Sequence, residues 1–253
     1  MITLIRAELV KLRTTRLWLV LLVSSVAVVG LIVFAVLASN PGRGTDPQDR
    51  GLHDLNTVAD VRTLLSIGGI AATLALVLGA TMSTSEYRYG TVGITYLAAP
   101  RRARVVTAKM LAAAPVGALF GLLGASVPVL VALAWFATKG RSVPLDGTIP
   151  LEILQIGLQA LFAAVMGVAV GAVLRNQVAA IVGLLVWVLV VESIVSSLIP
   201  VTAKWLPFSG AAGAFSSQAS DRLFARPAAG LLMAAYVVLG WAAAVWFERR
   251  RDV

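Results

Sequence analysis

Few side chains in this sequence could do bond-making chemistry, and their types exclude more than they suggest. There is one histidine, His53, and no cysteine. A metalloprotease HExxH pair needs two histidines a helical turn apart, so it is impossible here, and a Ser-His dyad has only His53 to draw on. Without thiolates, neither disulfides nor Cys-ligated metal sites can form. No G-x-x-x-x-G-K-[ST] loop occurs, so the chain has no P-loop to cradle nucleotide phosphates. No catalytic, cofactor or metal-ligating residue is therefore expected.

The polar residues that remain gather in two places. The first is Ser83 to Lys109, STSEYRYGTVGITYLAAPRRARVVTAK, with Arg88, Arg101, Arg102, Arg104, Lys109 and one acid, Glu86, around an apolar middle. Ser83, Thr84 and Ser85 are suited to cap a short helix beginning near Glu86, whose charge matches a helix N-terminus. Gly90 permits a turn or a tight backbone approach, and Pro100 stops the apolar helix before it. The arginines then lie at headgroup level, where they set topology and meet anionic lipid.

The second place is around Glu192, the one acid deep within an apolar span, about 12 Å along a helix from Pro200. Gln159 lies at a comparable depth in the preceding span, and Glu152, Gln155 and Gln159 follow i, i+3, i+7 spacing on one helix side. Ser193, Ser196 and Ser197 add polarity. The expectation is a polar patch in the outer half of a bundle. Gln155, Gln159, Glu192 and Ser196 would line a path there, or Glu192 would make a structural hydrogen bond between helices. An ionised acid near midplane costs at least about 2.5 kcal/mol, so it must face protein or water.

The elements that position these residues are set by composition. Hydrophobic residues make up 59% of 253 residues and charged residues 13%, roughly half the charge of a soluble domain. The reading is an all-α polytopic membrane protein, a single transmembrane domain over residues 1–253. Six spans are expected at about 17–38, 62–82, 105–137, 151–174, 178–199 and 228–247. Residues 1–16 place Ile2, Ile5, Leu9 and Leu12 on one side, as an interfacial helix does. Pro115 and Pro128 are expected to kink the long third span. Residues 200–227 are apolar but broken by Pro and Gly, which suggests external or re-entrant short helices.

The net charge of +9 is not a nucleic-acid footprint, because the basic residues sit at span ends. Arg6, Lys11, Arg13, Arg16, Arg88, Arg101, Arg102, Arg104, Lys109, Arg175 and Arg249–Arg251 fall on the side of both termini. Asp46, Asp49, Asp54, Asp60, Asp146, Glu152 and Asp221 fall on the other. That bias puts both termini in the cytoplasm. Gly117–Gly121 and Gly167–Gly171 are small-xxx-small motifs, fit for close packing within a bundle or between copies. Trp187, alone among the tryptophans, is mid-span, where packing is its expected role.

Glu86-Tyr87-Arg88-Tyr89-Gly90-Thr91, then Pro100-Arg101-Arg102, then Lys109 at the start of a span, resembles the permease subunits of ABC-2 type exporters. Their pattern is an acid, a Gly-Thr pair four residues on, an apolar stretch, a Pro-x-Arg and a Lys entering the next helix. The topological resemblance covers nearly the whole chain, the motif only this segment. It implies that 83–104 is a cytoplasmic coupling helix docking into a separate ATP-binding cassette subunit, with Glu86, Gly90, Thr91, Pro100 and Arg102 at the contact. ATP and magnesium would then sit on that subunit and none in this chain. A second permease copy or a related permease would complete the path, in a bacterial cell membrane. Two other classes stay open: a proton- or ion-coupled secondary transporter using Glu192, and a non-transporting membrane scaffold. The transported substrate is not legible.

Overall fold

The computed structural model describes residues 1–39, 58–138, 143, 145–216 and 223–250, and among these every regular element is helical. The loop around His53, with Asp46, Asp49 and Asp54, lies outside the described residues, as does Asp221.

Helix α1, Ile2–Thr15, is about 21 Å long and too short to cross a bilayer. Arg16 has φ 51°, a left-handed conformation uncommon for a side-chain-bearing residue, and it breaks α1 from α2, Leu17–Ser39. With α2, six helices among the described residues are long and apolar enough to cross: Leu17–Ser39, Asp60–Arg88, Arg102–Ala137, Ile149–Leu174, Gln177–Leu198 and Arg226–Arg250. The protein is an all-α polytopic membrane protein.

Span two is longer than the sequence suggests, and it is broken. Helix α3, Val58–Ile67, and α4, Ile70–Arg88, meet at Gly68-Gly69. There the amides bond three residues back, Gly68 N to Leu65 O at 2.8 Å and Gly69 N to Ser66 O at 3.0 Å. A Cβ on Gly68 would stand 2.7 Å from Ala125 Cα, so only glycine fits against the third span. The expected cap at Ser83–Ser85 does not form. Thr84 Oγ1 donates to Ala80 O at 2.7 Å, and the helix runs on to Arg88. Packing explains this: Ser83 is buried against Gly171, so the contact with α7 extends to the end of α4.

A short helix, α5 (Val92–Ala98), precedes α6 (Arg102–Ala137). With 36 residues, α6 is about 54 Å long and extends beyond a hydrocarbon core of about 30 Å. It is one helix through both Pro115 and Pro128. Helix α7, Ile149–Leu174, is followed by span five, in which α8 (Gln177–Val186) and α9 (Glu192–Leu198) flank a π-helical turn at Trp187–Val191. Residues 200–216 hold α10 (Pro200–Ala203), a second π turn (Pro207–Ala212) and α11 (Gly213–Ser216), none long enough to cross. Helix α12, Arg226–Arg250, closes the bundle.

Helices α4, α6 and α7 form the core, and both small-residue motifs are used within it. Gly117 and Gly121 meet the α7 backbone at Ala160 and Ile156, and Gly167 meets Leu76 of α4. The closest approach is at Gly79, where a Cβ would lie 1.9 Å from Ala164 O. Because that neighbour is backbone, Gly79→Ala must part the two helices, at a cost of about 1–3 kcal/mol. Thermal unfolding in mild detergent should show the loss. Gly183→Ala, with open space around it, should leave the midpoint unchanged, and equal midpoints for the two variants would refute this packing.

Candidate functional site

The site lies where α1, the ends of α4 and α7, all of α5, the start of α6 and the last turn of α12 come together. Glu86 sits in the last turn of α4, not at a helix start. Thr91 N bonds to Glu86 O at 2.9 Å and Gly90 N to Tyr87 O at 3.4 Å, while Gly90 has φ 69°. This is a Schellman cap, in which a left-handed glycine reverses the chain and its neighbours satisfy the last carbonyls. The four-residue step from Glu86 to Gly90 is therefore the geometry that ends one helix and aims the next.

An acid in a last turn opposes the helix dipole and must be compensated. Glu86 Oε1 receives Lys11 Nζ at 2.5 Å and Lys109 Nζ at 2.9 Å, with Thr95 Oγ1 at 3.4 Å. Glu8 completes the group, with Lys11 at 2.7 Å and Lys109 at 3.0 Å. Two carboxylates and two ammonium groups thus balance. Glu8, Glu86 and Lys109 are buried, while Lys11 is partly open. Burial works against the Lys11 ammonium, but the hydrogen bonds and charges of Glu8 and Glu86 outweigh it and hold its pKa above the ordinary lysine value.

A second carboxylate, Glu248 in α12, is buried beside this group. Tyr87 and Tyr96 both donate to it, Tyr96 at 2.7 Å, and Arg175 Nη2 lies 2.9 Å away. Arg102 Nη1 donates to the Glu248 backbone carbonyl. Arg175 reaches in because it takes φ 53° after α7, and its guanidinium stacks over Tyr87 at 5.2 Å. Burial and then the hydrogen bond to Glu248 push the Tyr96 phenol well above its ordinary value, so it remains a donor.

With Val92, Thr95 and Tyr96 turned inward, α5 presents the opposite side outward. Leu97 is 87% exposed, Tyr89 72% and Ile94 69%. Gly90, Thr91, Ala98 and Pro100 are exposed beside them, with Arg88, Arg101 and Arg104 around the rim. Of the residues proposed for a contact, Gly90, Thr91 and Pro100 lie on this exposed ledge, whereas Glu86 and Arg102 point into the networks behind it. The sequence reading missed Glu8, Lys11, Tyr87, Tyr96, Arg175 and Glu248. One signal was available, since Glu248 is an acid in the last turn of an apolar helix, where a dipole alone would favour a base.

At the opposite end, Glu192 and Gln159 come together around a cavity of about 200 Å³ with Thr73 and Ser209. Gln159 also borders a cavity of about 580 Å³ with Arg62, Ser66, Glu152 and Ser216. Gln155 is buried away from both, and Ser196 turns its hydroxyl onto Ser193 O at 3.0 Å. Glu192 itself has no exposed surface. It accepts from Trp187 Nε1 at 3.0 Å, Phe208 N at 3.1 Å and Ser209 N at 2.5 Å. Trp187 is thus a hydrogen-bond donor and not only packing. The π turn it begins places the indole five residues before the acid it bonds. Nearby, Arg62 pairs with Glu152 at 2.8 Å and Asp146 at 3.2 Å. The Thr148 hydroxyl and amide, with the Arg62 charge, hold the Asp146 carboxyl below its ordinary range.

A family model described as ABC-2 family transporter protein matches residues 4–215. The chain belongs to the ABC-2 transporter family. It is an ABC-2 type permease, a transport membrane subunit of an ABC transporter system. No curated protein matches the chain. The family match runs from α1 through the whole α4–α6 segment and stops within α11. Glu248 of the permease lies beyond it, so the family match says nothing of that residue.

Proposed function

We propose that this permease is the membrane subunit of an ATP-driven exporter, moved by a separate ATP-binding subunit that docks on α5. The observation that carries the reading is the exposed apolar ledge of Tyr89, Ile94 and Leu97, on a short helix fixed from behind by two buried charge networks. A helix merely loose at the surface would give way under a docked partner. One fastened to the ends of spans two, three, four and six passes displacement into them. Both termini are then cytoplasmic, in a bacterial cell membrane, and ATP with magnesium binds the partner. Two permease copies, or this one with a related permease, form the path. Nucleotide drives transport only by binding differently to the inward and outward states.

The test is to purify the tagged chain from its native membrane and assay for a co-purifying ATPase. Ile94→Glu with Leu97→Glu should weaken capture of that subunit by at least about tenfold, since charges on an apolar contact cost 1.4 kcal/mol or more. Both side chains face outward, so the double variant should remain monodisperse. Undiminished capture would remove α5 as the docking element.

A further inference from the structure

We propose that Glu248 fastens α5 to span six, so that α12 carries displacement of α5 to the far end of the bundle. The proposal rests on the docking reading for what moves α5, but the tie itself does not.

The chemistry at Glu248 is more than its helix needs. Its neighbours Arg249 and Arg250 are exposed and suit a helix C-terminus at a membrane face. Glu248 suits neither the dipole nor the lipid, yet it is 1% exposed. Its carboxylate takes donors from α4 (Tyr87), α5 (Tyr96) and the α7–α8 junction (Arg175), and Arg102 of α6 holds its carbonyl. Elsewhere α12 runs along the edge of the bundle, 22% buried over its apolar stretch against 61% and 67% for spans two and four, with Gly240, Ala244 and Val245 packed on the core. A charged group with that many donors, at the end of a peripheral helix, is an attachment point.

The other end of α12 is attached as well. Met233 packs with Phe162, Ala211 and Ala212, Gly230 faces the Phe215 ring, and Tyr236 donates to the Trp205 carbonyl. Residues 205–215 belong to the segment whose turn at Phe208-Ser209 is capped by Glu192 and walls the smaller cavity. Helix α12, with 25 residues, is about 38 Å long. It therefore joins α5 at one end to that wall at the other, with no break between. Contiguity alone does not prove coupling, so the test must change one end and read the other.

The chain has no cysteine, so spin labels can be placed cleanly at Ala98→Cys and Arg249→Cys, both exposed, in nanodiscs. The native label pair should give one narrow distance distribution, and Glu248→Gln should broaden it. In the unlabelled Glu248→Gln chain, amide exchange over residues 207–212 should quicken by about tenfold. Tyr96→Phe, which removes one donor and keeps the ring, should give a smaller change of the same kind and guards against a variant that fails to fold. An unchanged distance distribution would overturn the tie. A broadened distribution with unchanged exchange at 207–212 would overturn the transmission. Should no ATP-binding subunit dock on the native chain, the docking reading fails, and these two measurements on the chain alone still decide the proposal.

Discussion

Glu86→Ala should unfold at a markedly lower temperature than the native chain. The reason is the charge balance of the buried group. Glu8, Glu86, Lys11 and Lys109 are two acids and two bases, and Lys109 is only 5% exposed. Removing Glu86 takes one counter-charge from each lysine and leaves Glu8 to serve both. Breaking a buried pair from one side costs about 3–5 kcal/mol, because a charge remains without its partner. Lys109→Met together with Glu86→Ala removes one charge of each sign and should recover most of that loss. The double-variant cycle is the measurement, read as thermal midpoints in mild detergent. A single variant as stable as the native chain would show that the group contributes no net stability. Because Glu86 is buried, its effect on a docked subunit would pass through α5 and not through direct contact.

The second large effect is expected at the far end. Glu192→Ala strips the acceptor from the Trp187 indole and from the Phe208 and Ser209 amides. Each buried donor left without a partner costs about 1–3 kcal/mol. The π turn and the 207–212 turn would both lose their reason for meeting. Amide exchange at Phe208 and Ser209 should accelerate by at least about thirtyfold, the equivalent of two such donors at the lower bound. Glu192→Gln keeps one strong acceptor oxygen and the same shape, so it should fall between the two. Native exchange rates in the alanine variant would mean that the segment is held by its apolar contacts alone. The same experiment bears on ion-coupled transport, since a carboxylate committed to three N–H donors is poorly placed to carry protons.

The spans were legible because the bilayer imposes a long apolar run whatever the tertiary arrangement. Leu17–Ser39 and Arg226–Arg250 needed little else. The family resemblance was legible at Glu86, Gly90 and Thr91, because a Schellman turn is a local device with a fixed spacing. The family match over residues 4–215 agrees with that reading.

What the local sequence could not carry was which side of the turn Glu86 stands on. A Ser-Thr-Ser-Glu run fits a helix start as well as a helix end. The choice fell to packing between α4 and α7, which holds the helix through Ser83 and beyond. The partners of Glu86, Glu192 and Glu248 come from residues 9 to 161 positions away in the chain, apart from Trp187. No periodicity encodes such pairs. A buried carboxylate demands counter-charge or N–H donors, so the sequence by itself determined that these acids must be answered. Only the tertiary structure decided by which residues, because that depends on which helix ends the bundle brings together.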